Sequence, residues 1–156
     1  MSDISAGEIK KLREETGAGV MDVRRALEGA GGDTKKAKSI LKEKGLEKAA
    51  EKAGRETAKG LIEAYVHADG RIGAMVHLAC ETDFVARTAD FKNLAKEIAM
   101  QVAAMNPENT DALLAQEYIR DPEKTVKDLI AEVVGKTGEN IQVWRIARFE
   151  LGQKPV

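Results

Sequence analysis

The chain has 156 residues, enough for one domain of ordinary size or for a small domain beside a core. Its 33% charged and 43% hydrophobic residues make a globular composition, and a formal net charge of −1 gives neither a nucleic-acid-binding field nor a polyacidic tail. The single cysteine, Cys80, has no partner for an internal disulfide and no second thiol for a metal site, and no run approaches the roughly 18 apolar residues of a membrane span.

Met1-Ser2-Asp3-Ile4 lacks a charged-then-apolar signal pattern, so a cytoplasmic protein is expected. Ser5-Ala6-Gly7-Glu8 reads as a capping box, with Ile4 and Ile9 spaced as a hydrophobic staple. The helix it opens should end at Thr16-Gly17, with Gly17 as a left-handed cap. Val20, Val23 and Leu27 follow helical spacing up to Gly29, and Asp33 caps a third helix with Ala37, Ile40 and Leu41 inside and Gly45 as its end. Val20 and Met21 are adjacent and cannot both face one core, so one of them should be exposed.

These three helices predict a domain over residues 1–45. Residues 46–60, rich in Ala, Glu and Lys, predict a charged, partly helical linker, and residues 61–156 an α+β core. Leu61 to His67 and Arg71 to Cys80 read as two strands. A two-residue Asp69-Gly70 turn would set Val66 opposite Gly73 and Ile62 opposite His77, splitting the apolar residues. The preferred three-residue loop would place Val66 opposite Ile72, Ala64 opposite Ala74 and Ile62 opposite Val76, gathering them on one face and leaving His67 and His77 on the other. With no third ligand the histidines read as surface or packing residues.

Thr88 should cap a long helix whose apolar stripe runs from Phe91 to Met105 and covers the hairpin. Ala112-Leu113-Leu114 suggests a helical turn and Tyr118-Ile119 a short extended piece. Asp121-Pro122 predicts a helix start with Val126, Leu129, Ile130, Val133 and Val134 on its inner face. Asn140 to Leu151 alternates as a strand with two usable faces. The fold expected is α+β: a three-helix bundle, then a small three-stranded antiparallel sheet packed with helices.

Between the second strand and the Thr88 helix stands Cys80-Glu81-Thr82-Asp83-Phe84-Val85-Ala86-Arg87. An Asp beside a large aromatic on a short connection offers a partner a carboxylate and a wedge. A Phe at such a junction is equally consistent with core packing. No metal set, paired base and nucleophile, or phosphate-cradling glycine loop accompanies it, so no catalytic residue, metal or cofactor is expected.

Two stretches, Leu12-Arg13-Glu14-Glu15-Thr16-Gly17-Ala18-Gly19-Val20-Met21-Asp22 and Cys80 to Ala86, resemble the signatures of the elongation factor Ts family, the guanine-nucleotide exchange factors of bacterial translation. Gly138-Glu139-Asn140-Ile141 is similar to a third family element, in the same order. The resemblance implies a ubiquitin-associated-like N-terminal bundle and, as partner, elongation factor Tu in its GDP-bound and nucleotide-free forms. It implies that Leu12, Val20 and Met21 dock on the partner. It also implies that Thr82, Asp83, Phe84 and Val85 approach the partner's magnesium and phosphate site and help dislodge the ion. Homodimers occur among short members, and this chain runs almost directly from Pro107 to Asp121 where longer members carry added structure. On this reading the chain is not an enzyme and binds neither membrane nor nucleic acid. The alternative is a ribosome- or RNA-associated module using the lysines of the linker.

Overall fold

In the computed structural model residues 3–155 are described; Met1, Ser2 and Val156, the outer bounds of the first and last predicted segments, lie outside them. The first helix, α1 (Ala6–Thr16), starts where the capping box predicts: Ser5 Oγ accepts from the Glu8 amide and Glu8 accepts from the Ser5 amide at 2.9 Å. It ends at Gly17, whose φ of 68° is left-handed. Helix α2 (Val20–Gly29) and helix α3 (Thr34–Lys52) complete the bundle, with Asp33 capping α3 through the amides of Lys35 and Lys36. Leu12, Val23, Ala26, Leu27, Ala37 and Leu41 form its core.

Helix α3 runs straight through Gly45 to Lys52. A glycine inside a helix costs about 1 kcal/mol relative to alanine, and α3 recovers this by packing at both ends: Leu41 belongs to the bundle core, while Ala49 lies against the core of the sheet unit. Much of the predicted linker is therefore the second half of a helix. Ile40, expected inside, faces outward; Leu41 and Ala37 take the buried stripe. Asp22 accepts from Lys44 at 2.9 Å and Lys48 at 2.7 Å, which holds its carboxyl down to about 2 and ties α2 to α3.

Strands β1 (Lys59–Val66), β2 (Ile72–Cys80) and β5 (Ile141–Glu150) form an antiparallel sheet in the order β1-β2-β5. Helices α5 (Ala89–Met105) and α7 (Val126–Thr137) contribute the apolar layer under it. Thr88 caps α5 by accepting from the Phe91 amide, as expected.

The hairpin register differs from the expected one. Val66 pairs with Gly73, Ala64 with Met75 and Ile62 with His77. The ladder closes with the His67 amide on Ile72 O at 2.9 Å, and Gly70 takes the left-handed position at φ 74°. The face under the helices is then lined by Leu61 and Tyr65 of β1 with Ala74, Val76 and Leu78 of β2, while Ile62 and Val66 remain exposed. Both faces of β1 are apolar enough that gathering its apolar residues did not decide the register. Nor do the histidines share a face: His67 meets Tyr65 Oη at 3.0 Å, while His77 packs on the Trp144 ring at 5.0 Å on the open side.

Asp121-Pro122 does not start a helix. Asp121–Thr125 is strand β4, paired with β3 (Glu117–Tyr118), and α7 begins four residues later. There Thr125 and Asp128 form a reciprocal capping box, and Asp128, almost fully buried, also takes Lys42 of α3 at 3.0 Å. The helical turn at Ala112 is α6 (Thr110–Ala115). Gln101, buried in α5, fixes the segment after it by donating to Gln116 Oε1 and Glu117 O and accepting from the Ile119 amide.

Candidate functional site

Strand β2 ends at Cys80, opposite Ile141, and beyond that rung the chain leaves the sheet. Thr82 caps a single helical turn, α4 (Asp83–Ala86), its hydroxyl oxygen accepting from the Val85 amide at 3.3 Å. Val85 and Ala86 turn inward into the main core. On the far side of the turn Phe84 is 88% exposed. Thr88 Oγ1 donates to Val85 O at 2.7 Å and closes the turn onto α5.

The Cys80 thiol donates to Thr82 O at 3.2 Å. Burial, with the nearby Glu139 carboxylate adding to it, pushes that thiol up to about 11, so it stays protonated and serves as a hydrogen-bond donor inside the core.

A second segment completes the site. Gly138 ends α7 in the left-handed conformation, φ 74°, and turns the chain so that Glu139 and Asn140 meet the β2 exit. Glu139 Oε1 accepts from the amides of Glu81 at 3.2 Å and Thr82 at 3.0 Å, and Oε2 accepts from Thr82 Oγ1 at 2.7 Å. Glu81 Oε1 in turn accepts from the Asn140 amide at 2.8 Å and lies 3.5 Å from Arg55 Nη1. The buried Asn140 donates to Arg55 O at 2.8 Å. Two of the motifs singled out in the sequence, Cys80–Ala86 and Gly138–Ile141, are thus halves of one structure. Sequence reasoning assigned no role to Glu81, Glu139, Asn140 or Arg55; the Gly-Glu-Asn-Ile stretch was the available signal.

Of the other predicted positions, Val20 and Met21 are both exposed, side by side at the start of α2, rather than one exposed and one buried. Leu12 is buried in the bundle core, and Val85, next to Phe84, is buried in the main core. Among the described residues no cluster of three or more His, Cys, Asp or Glu is placed to hold a metal, and no helix is long and apolar enough to cross a membrane.

A protein-family model described as Elongation factor TS matches residues 81–156. The elongation factor Ts of Caldanaerobacter subterraneus subsp. tengcongensis is 46% identical, the alignment covering 96% of this chain and 98% of that protein. That of Thermotoga petrophila is 45% identical over 97% and 98%, and that of Coprothermobacter proteolyticus 42% over 97% and 100%. Each alignment spans more positions than the chain has residues, so these relatives carry residues within the matched span that this chain lacks. Sequence, fold and loop together define a translation elongation factor. The chain belongs to the elongation factor Ts family.

Proposed function

We propose that the chain is a cytoplasmic guanine-nucleotide exchange factor that binds elongation factor Tu carrying GDP and promotes release of the nucleotide by disturbing the partner's magnesium and phosphate site. It makes and breaks no covalent bond. Its effect comes from stabilising the nucleotide-free partner more than the loaded one, and this coupling is reciprocal: GDP weakens the complex by the same factor. The observation that carries the reading is Phe84, a large apolar side chain 88% exposed on a turn whose backbone is tied down on every side.

In this reading residues 1–45 dock through Val20 and Met21, with Leu12 in the bundle core. Residues 46–60 join that domain to the core of 61–156, which presents Thr82, Asp83 and Phe84 over Val85. The RNA-binding alternative draws less support, because Lys48 is engaged by Asp22 and Arg55 by Glu81. The test is complex formation: on size exclusion the purified chain should co-elute with nucleotide-free elongation factor Tu, and excess GDP with magnesium should separate the two. Co-elution that GDP with magnesium leaves intact would overturn the reading.

A second reading concerns assembly. The sheet face away from the helices leaves Ile62, Val66, Met75, Trp144 and Phe149 exposed, and grouped exposed apolar residues mark an interaction surface. We infer that a second copy of the chain covers it, sheet against sheet. Sedimentation should then give a dimer mass at micromolar concentration and a monomer for Phe149→Glu; a wild-type monomer at that concentration would sink the dimer.

A further inference from the structure

We propose that Glu139 is the positioning residue that sets how Phe84 is displayed, and that the chain's exchange activity depends on it. The inference rests on the exchange-factor reading above. Below Cys80 the backbone amides of β2 are satisfied by the ladder; beyond the Cys80–Ile141 rung the strands part, and the amides of Glu81 and Thr82 lose any ladder partner. Glu139 Oε1 takes both, and on the opposite side Glu81 Oε1 takes the Asn140 amide. Two side-chain carboxylates thus continue a ladder that the backbones have abandoned. Hydrogen bonds to an ionised acceptor are roughly twice as strong as neutral ones.

The second oxygen of Glu139 does a separate job. By accepting the Thr82 hydroxyl hydrogen at 2.7 Å it leaves that oxygen's lone pairs to the Val85 amide, the cap on which α4 depends. Glu139 therefore holds the turn that carries Phe84 from 57 residues away without touching Phe84. Three acidic side chains, Glu81, Asp83 and Glu139, crowd this corner, with Arg55 the cation beside Glu81. Crowded carboxylates persist only where specific donors reward them, and Glu139 has three. An exposed phenyl on a loose turn would fold back onto neighbouring apolar surface. A turn fixed in advance avoids the ordering cost at the moment of binding.

The experiment compares Glu139→Ala and Glu139→Gln with the wild-type chain, reading stopped-flow release of fluorescent GDP from elongation factor Tu against chain concentration, and amide hydrogen exchange at residues 81 and 82 of the free chain. Glu139→Ala should lower the saturating release rate about tenfold, equivalent to about 1.4 kcal/mol, with a half-saturating concentration close to wild type, because the bundle still docks. The Glu81 and Thr82 amides should exchange faster. Glu139→Gln keeps an acceptor for the amides but loses the charge and the second acceptor, so it should fall between the two; it also decides the matter if the alanine variant folds poorly. Release at the wild-type rate by either variant, with faster exchange at residues 81 and 82, would overturn the positioning role while leaving the exchange-factor reading intact. If the wild-type chain itself gives no acceleration, the exchange-factor reading fails and takes this proposal with it.

Discussion

Phe84→Ala should leave the chain as stable as before and remove one to two decades of its acceleration of GDP release. The stability half follows from exposure: a side chain 88% open to solvent buries almost nothing on folding, surface substitutions usually stay within about 0.5 kcal/mol, and alanine suits a helical turn. The activity half follows from burial in the complex. Covering a phenyl ring contributes about 1.5 to 3 kcal/mol, and each factor of ten takes about 1.4 kcal/mol. Phe91, seven residues on and fully buried, shows the opposite case, where truncation would cost the core about 3 to 5 kcal/mol. The measurement is the saturating rate of labelled GDP release beside a thermal unfolding midpoint. Undiminished acceleration by Phe84→Ala would remove the wedge role, and a lowered midpoint would mean that the ring packs against its own chain.

Loss of only one or two decades would itself be informative. The remaining coupling would then reside in docking at Val20 and Met21 and in the approach of Asp83 to the partner's magnesium site. The two patches are held on one frame, because α3 joins the bundle core through Leu41 to the sheet unit through Ala49, with Lys42 bonded to Asp128 of α7.

Most of the local architecture was legible in the sequence because its signals are short-range. Ser5, Glu8, Asp33 and Thr88 accept from amides within a turn of themselves, Gly17 donates its own amide to Arg13 O, and the structure places each as expected. The misreadings came where two local signals competed or where the deciding partner is distant. Asp121-Pro122 is a sound helix start on local grounds, yet Thr125-x-x-Asp128 supplies a rival cap, and Lys42, more than eighty residues away, rewards it. Gly45 looked like a terminus because neither of the surfaces that grip α3 is visible from its own sequence. The hairpin register failed because β1 is apolar on both faces, and only the placement of α5 says which face is covered. For Phe84 the local sequence left exposure and core packing equally open. Its display depends on Glu139, which lies 57 residues from Thr82 in the chain and which only the fold brings there.

Gly60→Ala should destabilise the fold by about 3 kcal/mol. Gly60, the second residue of β1, has φ 140°, a conformation that L side chains rarely adopt. A Cβ there would land on the carbonyl oxygen of Leu78 and within 2.8 Å of the Ala79 Cα, both backbone atoms of the neighbouring strand, so no rotamer change relieves it. The strand must instead move away, against the Thr57 hydroxyl just before it, which donates to Gln142 and accepts from the Trp144 indole on β5. Gly73→Ala is the matched control. It lies on the same strand pair without a positive φ, and its added Cβ would sit at an ordinary 3.6 Å from Tyr65 O and Val66 Cγ2. It should therefore cost no more than about 1 kcal/mol. Urea unfolding of the two variants separates the explanations: equal losses would trace the cost to chain entropy and remove the close-approach argument. Because Lys59 pairs with Cys80, one rung from Gly60 and the last residue of β2 before the Phe84 loop, the Gly60 variant should also show faster amide exchange at residues 80 to 82 than Gly73→Ala.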